Sequence, residues 1–146
     1  MEKLRTHKPH ILVVGDLMLD HYLWGGINRI SPEAPVAVVD IDKEEVTLGG
    51  AGNVINNLIT LGAKVSVASV IGEDETGSEL SIILKKVGVI DQALIVQTDR
   101  ISSKKSRVIA SNQQIIRYDK ESKNNIPQDS EIKIIKAIKE HLLAYD

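Results

Sequence analysis

LGGAGNVINNLITLG, residues 48–62, sets a glycine-rich turn directly before a run with helical spacing. Val54, Ile55, Leu58, Ile59 and Leu61 recur along one face of a helix, and Gly62 is its stop. At Gly49-Gly50-Ala51-Gly52-Asn53 the backbone is free to take positive φ and to admit a ligand with no Cβ in the way. The helix that follows offers unpaired N–H groups and the positive end of its dipole, which suit hydroxyl oxygens or anions. Asn53 adds a side chain that both donates and accepts. A glycine turn built only for close packing has the same composition. No Gly-Lys-Ser/Thr follows, so this is not a Walker A loop, and the dinucleotide spacing G-x-G-x-x-G is absent.

Upstream, Ile11-Leu12-Val13-Val14 before Gly15-Asp16 reads as a short buried strand of the parallel type. Gly25-Gly26 suggests a tight turn, Ser31 to Pro35 is excluded from helix by its prolines, and Val36 to Ile41 is a strand. These extended pieces predict a small antiparallel unit projecting from the main sheet. Downstream, Lys64 to Ile71 alternates as a strand. Asp74 or Thr76 caps a helix carrying Leu80, Ile83, Leu84 and Val87 that ends at Gly88. Ala93 to Gln97 is a strand, and Ser106 to Ala110 with Gln114 to Tyr118 form a hairpin. Asp129 or Ser130 caps a last helix with Ile132, Ile135, Ile138 and Leu142 on its apolar face. Strand and helix in alternation mean an α/β fold: a partial, open, mostly parallel sheet flanked by helices, with a projecting antiparallel piece.

The 146 residues carry 18 basic and 20 acidic side chains, a net charge of −2 that disfavours nucleic-acid binding through a broad basic face. No cysteine is present, so disulfides and thiolate chemistry are excluded. No apolar run approaches the roughly 18 residues that span a bilayer, and Met1 to His10 lacks a secretory signal's apolar stretch. The expectation is a cytoplasmic protein without a membrane partner. His7, His10, His21 and His141 have no metal-ligand spacing, so no metal site is expected.

Asp16 and Asp20 follow the first strand, where open α/β sheets bind ligands. Carboxylates there accept from sugar hydroxyls with good discrimination; taken singly, Asp16 is equally a turn residue and Asp20 a solvated charge. Lys105, Arg107 and Arg117 bracket the hairpin and either grip a phosphate or form a solvated face. Arg29, in the projecting unit, has the same two readings.

Three stretches together resemble the ribokinase (phosphofructokinase B) superfamily of sugar kinases: ILVVGDLMLD (11–20), LGGAGNVINNL (48–58) and VIGEDETG (70–77). INRISPEAPV (27–36) and SRVIASNQQIIRYD (106–119) are more similar to the kinase domain of the bifunctional heptose 7-phosphate kinase/heptose 1-phosphate adenylyltransferases of bacterial lipopolysaccharide biosynthesis. The resemblance spans roughly Pro9 to Asp146 and implies a ribokinase-like fold. It makes residues 1–146 the N-terminal, substrate-binding half of a kinase domain, with a β lid at about 21–47. The Gly-Ala-Gly-Asp anion hole, the catalytic base and most of the ATP pocket have no match, so no catalytic residue is expected here and the isolated chain is expected to be inactive. The implied reaction of the complete enzyme is transfer of the γ-phosphate of MgATP, its cosubstrate, to the anomeric hydroxyl of D-glycero-D-manno-heptose 7-phosphate, by positioning and electrostatics.

By the same resemblance, Asp20 holds sugar hydroxyls with Asp16 beside it, and Gly49, Gly50 and Asn53 bind the ring face. Arg29 closes with the lid; Arg107 and Arg117, supported by Lys105, take the 7-phosphate. The lid implies a homodimer. Two alternatives stand beside this reading: another sugar kinase of the superfamily, and a non-catalytic sugar-phosphate-binding or dimerisation module.

Overall fold

Two sheets share the chain, and the passage between them comes within two residues of the first strand's end. The computed structural model describes residues 8–146; His7 lies outside them. Strand β1 (His10–Val14) is followed by β2 (Leu17–Ile30), β3 (Ala37–Gly50), α1 (Ala51–Thr60), β4 (Lys64–Gly72), α2 (Glu75–Lys86), β5 (Ile90–Gln97), β6 (Ser103–Ala110), β7 (Gln113–Lys120) and α3 (Gln128–His141), with a closing 3₁₀ turn at Leu142–Ala144. The first sheet, in the order β1-β4-β5, is wholly parallel. The second, β3-β2-β6-β7, is mixed: the β2–β3 and β6–β7 pairs are antiparallel and the β2–β6 pair is parallel.

The central strand β4 is buried along nearly its whole length, as a strand covered on both faces must be. Its Val65, Val67 and Ile71 meet Ile55 of α1 and Leu80 and Leu84 of α2, and Leu19 and Leu48 of the second sheet join the same core. α1 ends as its pattern requires, with Gly62 at φ +90 and its N–H donating to the Ile59 carbonyl. No helix among the described residues is long and apolar enough to cross a membrane.

Two expectations, the Gly25-Gly26 turn and the cap of the last helix, are corrected, and two others are made specific. Gly25 and Gly26 form no turn; they continue β2 at a bulge, where the Asp40 carbonyl occupies the place of a Gly25 Cβ. The reversal lies instead at residues 31–36, closed by Ser31 N–H donating to the Val36 carbonyl at 2.8 Å. The expected hairpin is present as β6 and β7, and it joins the second sheet through β2. Of the two caps the sequence offered for α2, the structure uses Asp74; Thr76 is buried. α3 begins after Pro127 with no side-chain cap, Ser130 being buried, and its Ile132 and Ile135 face outward while Ile134 and Ile138 are half-buried.

Asp74 fastens the two sheets together. Its Oδ1 accepts from Gly77 N–H at 2.8 Å, its Oδ2 accepts from Ser102 N–H at 3.0 Å, and Ser102 Oγ accepts from Gly72 N–H at 2.8 Å. Burial pulls its pKa upward, but the hydrogen bonds from Ser102 and Gly77 and the charge of Lys120 outweigh that and hold it below the ordinary carboxylate value. VIGEDETG is therefore a structural crossing, so tight that a Cβ on Gly72 would overlap the Arg100 carbonyl.

Candidate functional site

Alternation along β2 sorts its side chains onto two faces. Leu17, Leu19 and His21 turn inward and are buried; Met18, Asp20, Tyr22 and Trp24 turn to the opposite, half-open face. Cross-strand register places Thr47 and Lys105 beside Asp20, Gly49 beside Met18, and Arg107 beside Tyr22. Asp20, Gly49, Lys105 and Arg107 thus meet on one face.

The Asp20 carboxylate is fixed from two sides. Oδ1 accepts from Arg107 Nη1 at 2.6 Å, and Oδ2 lies where a Cβ on Gly49 would stand. Glycine at 49 is the space the carboxylate occupies. One residue on, Gly50 takes φ +57, and the Asp16 carbonyl and the Met18 methyl fill the place of its Cβ. The Asp16 carbonyl accepts from Ala51 N–H at 2.9 Å, while the Asp16 side chain is exposed. No side chain caps α1, so beyond Ala51 the N–H groups of its first turn, Asn53 included, open next to this junction. Asn53 is exposed, four residues beyond the glycine that carries Asp20.

The basic residues of the hairpin are already partnered. Lys105 lies 3.5 Å from Asp119 and 3.6 Å from Glu121, and Arg117 holds Asp119 by two bonds of 2.9 and 2.6 Å. The hydrogen bond from Arg117 is the main reason the Asp119 pKa falls to about 2, and the same pairing raises that of Arg117. Three cations, Lys105, Arg107 and Arg117, face three carboxylates, Asp20, Asp119 and Glu121. An anion entering here has to share these cations with their carboxylates. Arg29 is exposed opposite Val38, nine residues along β2 from Asp20, on the order of 30 Å away at the rise of a strand. It is not brought to the others within one chain.

On the inward face, His21 braces three strands behind Asp20. Its Nε2–H donates to Glu44 Oε1 of β3 at 2.5 Å, and its Nδ1 shares a 2.9 Å hydrogen bond with the buried Ser106 hydroxyl of β6. Sequence reasoning missed this brace, the acidic partners Asp119 and Glu121, and the stacked pair Tyr22 and Trp24. The alternation of Leu19 to Trp24 carries the signal for the aromatic pair, once that segment is read as a strand and not as the approach to a turn.

Residues 8–144 match the pfkB family of carbohydrate kinases. The chain is 55% identical over its whole length to the bifunctional protein HldE of Sulfurimonas denitrificans, of which it covers 31%, and 56% identical over 96% of its length to HldE of Aliarcobacter butzleri, of which it covers 29%. It therefore spans about a third of the length of these relatives. In fold it is similar to a carbohydrate kinase from Agrobacterium tumefaciens (TM-score 0.68, 23% identity, 94% of this chain and 43% of that one). It is likewise similar to Arabidopsis thaliana ribokinase complexed with ribose and ATP (TM-score 0.62, 16% identity, 88% and 43%).

Proposed function

The chain belongs to the pfkB family of carbohydrate kinases, and from that premise we propose that it is the sugar-binding part of an ATP-dependent sugar-phosphate kinase. The substrate we assign is D-glycero-D-manno-heptose 7-phosphate, phosphorylated at its anomeric hydroxyl in the biosynthesis of the lipopolysaccharide core. The heptose assignment rests on residues 27–36 and 106–119, where the sequence resembles heptose kinases.

The observation that carries the reading is the Asp20 carboxylate, packed on Gly49 and bonded to Arg107 beside the uncapped start of α1. A fixed carboxylate next to free backbone N–H groups offers both acceptors and donors to a polyol, and a ligand lacking the matching hydroxyl leaves the charge unsatisfied. In this reading Asp20 accepts from sugar hydroxyls, Asp16 lies beside it, and Gly49, Gly50 and Asn53 bind the ring face. Lys105, Arg107 and Arg117 face the 7-phosphate, which shares them with their carboxylates. Arg29 belongs to the distal lid, whose exposed Ile27 and Ile30 form the pairing surface of a cytoplasmic homodimer. MgATP is the cosubstrate; its binding residues and the catalytic base belong to the length of the relatives that this chain does not span.

The test is a full-length kinase carrying this chain, assayed for ADP release with the heptose 7-phosphate against ribose, fructose and fructose 6-phosphate. Preference for the heptose phosphate by an order of magnitude or more in kcat/KM, lost in Asp20→Asn, is the expected result. Equal use of the other sugars removes the heptose assignment, and an unaffected Asp20→Asn variant removes the site.

A further inference from the structure

Beyond Asp20, the same face of β2 carries Tyr22 and Trp24, and each meets a cation from a neighbouring strand. The Arg107 guanidinium stands 5.1 Å from the Tyr22 ring centroid, and Lys43 Nζ stands 4.5 Å from that of Trp24. The two rings stack on each other at 5.5 Å with planes 19° apart, and Lys43 continues to Glu45 at 3.1 Å. A single file results, Asp20, Arg107, Tyr22, Trp24 and Lys43, with Glu45 returning from Lys43 to the side of Tyr22. Register builds it, with Arg107 and Glu45 flanking Tyr22 and Lys43 opposite Trp24. The β2 bulge that begins after Trp24 ends it.

The core does not account for these rings, since Leu17 and Leu19 fill it from the other face of β2. What the file supplies is a plane for Arg107. A guanidinium on a long side chain swings freely unless something flat holds it, and stacking on an aromatic face is how its plane is set. Arg107 bonds the Asp20 carboxylate through that plane. Resting on the reading of Asp20 as the acceptor of sugar hydroxyls, we propose that Tyr22 and Trp24 are positioning residues that fix the Arg107 guanidinium, and through it the orientation in which Asp20 meets the sugar.

The test is a double-mutant cycle in the full-length kinase, with KM measured for the heptose 7-phosphate and for MgATP. Tyr22→Val should raise the sugar KM about fivefold to tenfold with the MgATP KM unchanged, and Tyr22→Phe, which keeps the ring face, should restore it to within about twofold. Because Tyr22 acts through Arg107, the Tyr22→Val/Arg107→Ala pair should be no worse than Arg107→Ala alone. Multiplicative effects, or an unchanged sugar KM in Tyr22→Val, would overturn the proposal. If Tyr22→Val does not fold, Trp24→Val enters the same cycle, and multiplicative effects there overturn it equally. Asp20→Asn separates the two layers. A raised sugar KM in Asp20→Asn beside an unaffected Tyr22→Val overturns the positioning role alone, and an unaffected Asp20→Asn overturns the site reading and the positioning role together.

Discussion

Arg107 reaches Asp20 across 87 residues of sequence, and its 2.6 Å bond runs diagonally between β2 and β6, because the residue directly opposite Arg107 is Tyr22. The guanidinium thereby serves the carboxylate and keeps donors for a ligand. Replacing Arg107 by Ala in the full-length kinase should raise the KM for the sugar phosphate on the order of tenfold or more and leave that for MgATP within about twofold. Equal effects on both constants would remove Arg107 from the sugar site.

Gly49 is the residue whose side-chain space Asp20 uses. In Gly49→Ala the new methyl displaces the carboxylate by about an ångström, a misplacement that costs on the order of a hundredfold in kcat/KM. Thermal unfolding should shift much less than activity. A Gly49→Ala enzyme with wild-type kinetics would show that Asp20 has no fixed role.

Asp74 links folding to acidity. Its folded-state pKa lies below the ordinary value of 3.8, so its contribution is complete above that value and is lost as the pH falls through the depressed one. Asp74→Ala should cost about 1–2 kcal/mol near neutral pH, the usual price of a lost cap. In urea titrations the difference from wild type should shrink as the pH falls below 3.8 and through the depressed value. A difference that persists unchanged at low pH would mean that the carboxylate charge is not what holds α2 to β6.

Asp119 titrates at about 2 because Arg117 donates to it twice. In Arg117→Ala its pKa should move up towards 3.8, read from the carboxyl carbon shift by NMR. A value still near 2 in that variant would place the cause elsewhere, with Lys105 the next cation in line.

Local chemistry was legible in the sequence wherever one segment decides it. The positive φ at Gly50, the helix stops at Gly62 and Gly88, the Asp74 cap and the β6–β7 hairpin all follow from neighbours within a few residues. The parallel pairing of β2 with β6 does not, since register between distant strands is set by packing and leaves no periodic mark in either. That is why Lys105 and Arg107 were linked to the hairpin but not to Asp20, and why Asp119 and Glu121 were not recognised as their partners. Gly25-Gly26 misled for the opposite reason: a glycine pair that signals a turn locally was there to let the Asp40 carbonyl approach.

During synthesis, the order in which strands emerge has its own consequence. β2 leaves the ribosome with β3 close behind it, but the partner for its other edge comes 85 residues later, Ser103 for Met18 and Ala110 for Gly25. At roughly 5–20 residues per second, that edge waits on the order of ten seconds with its backbone groups unclaimed. For that interval the nascent hairpin is a template for strands of other chains, and Asp20 is displayed before the arginine that will hold it has been made.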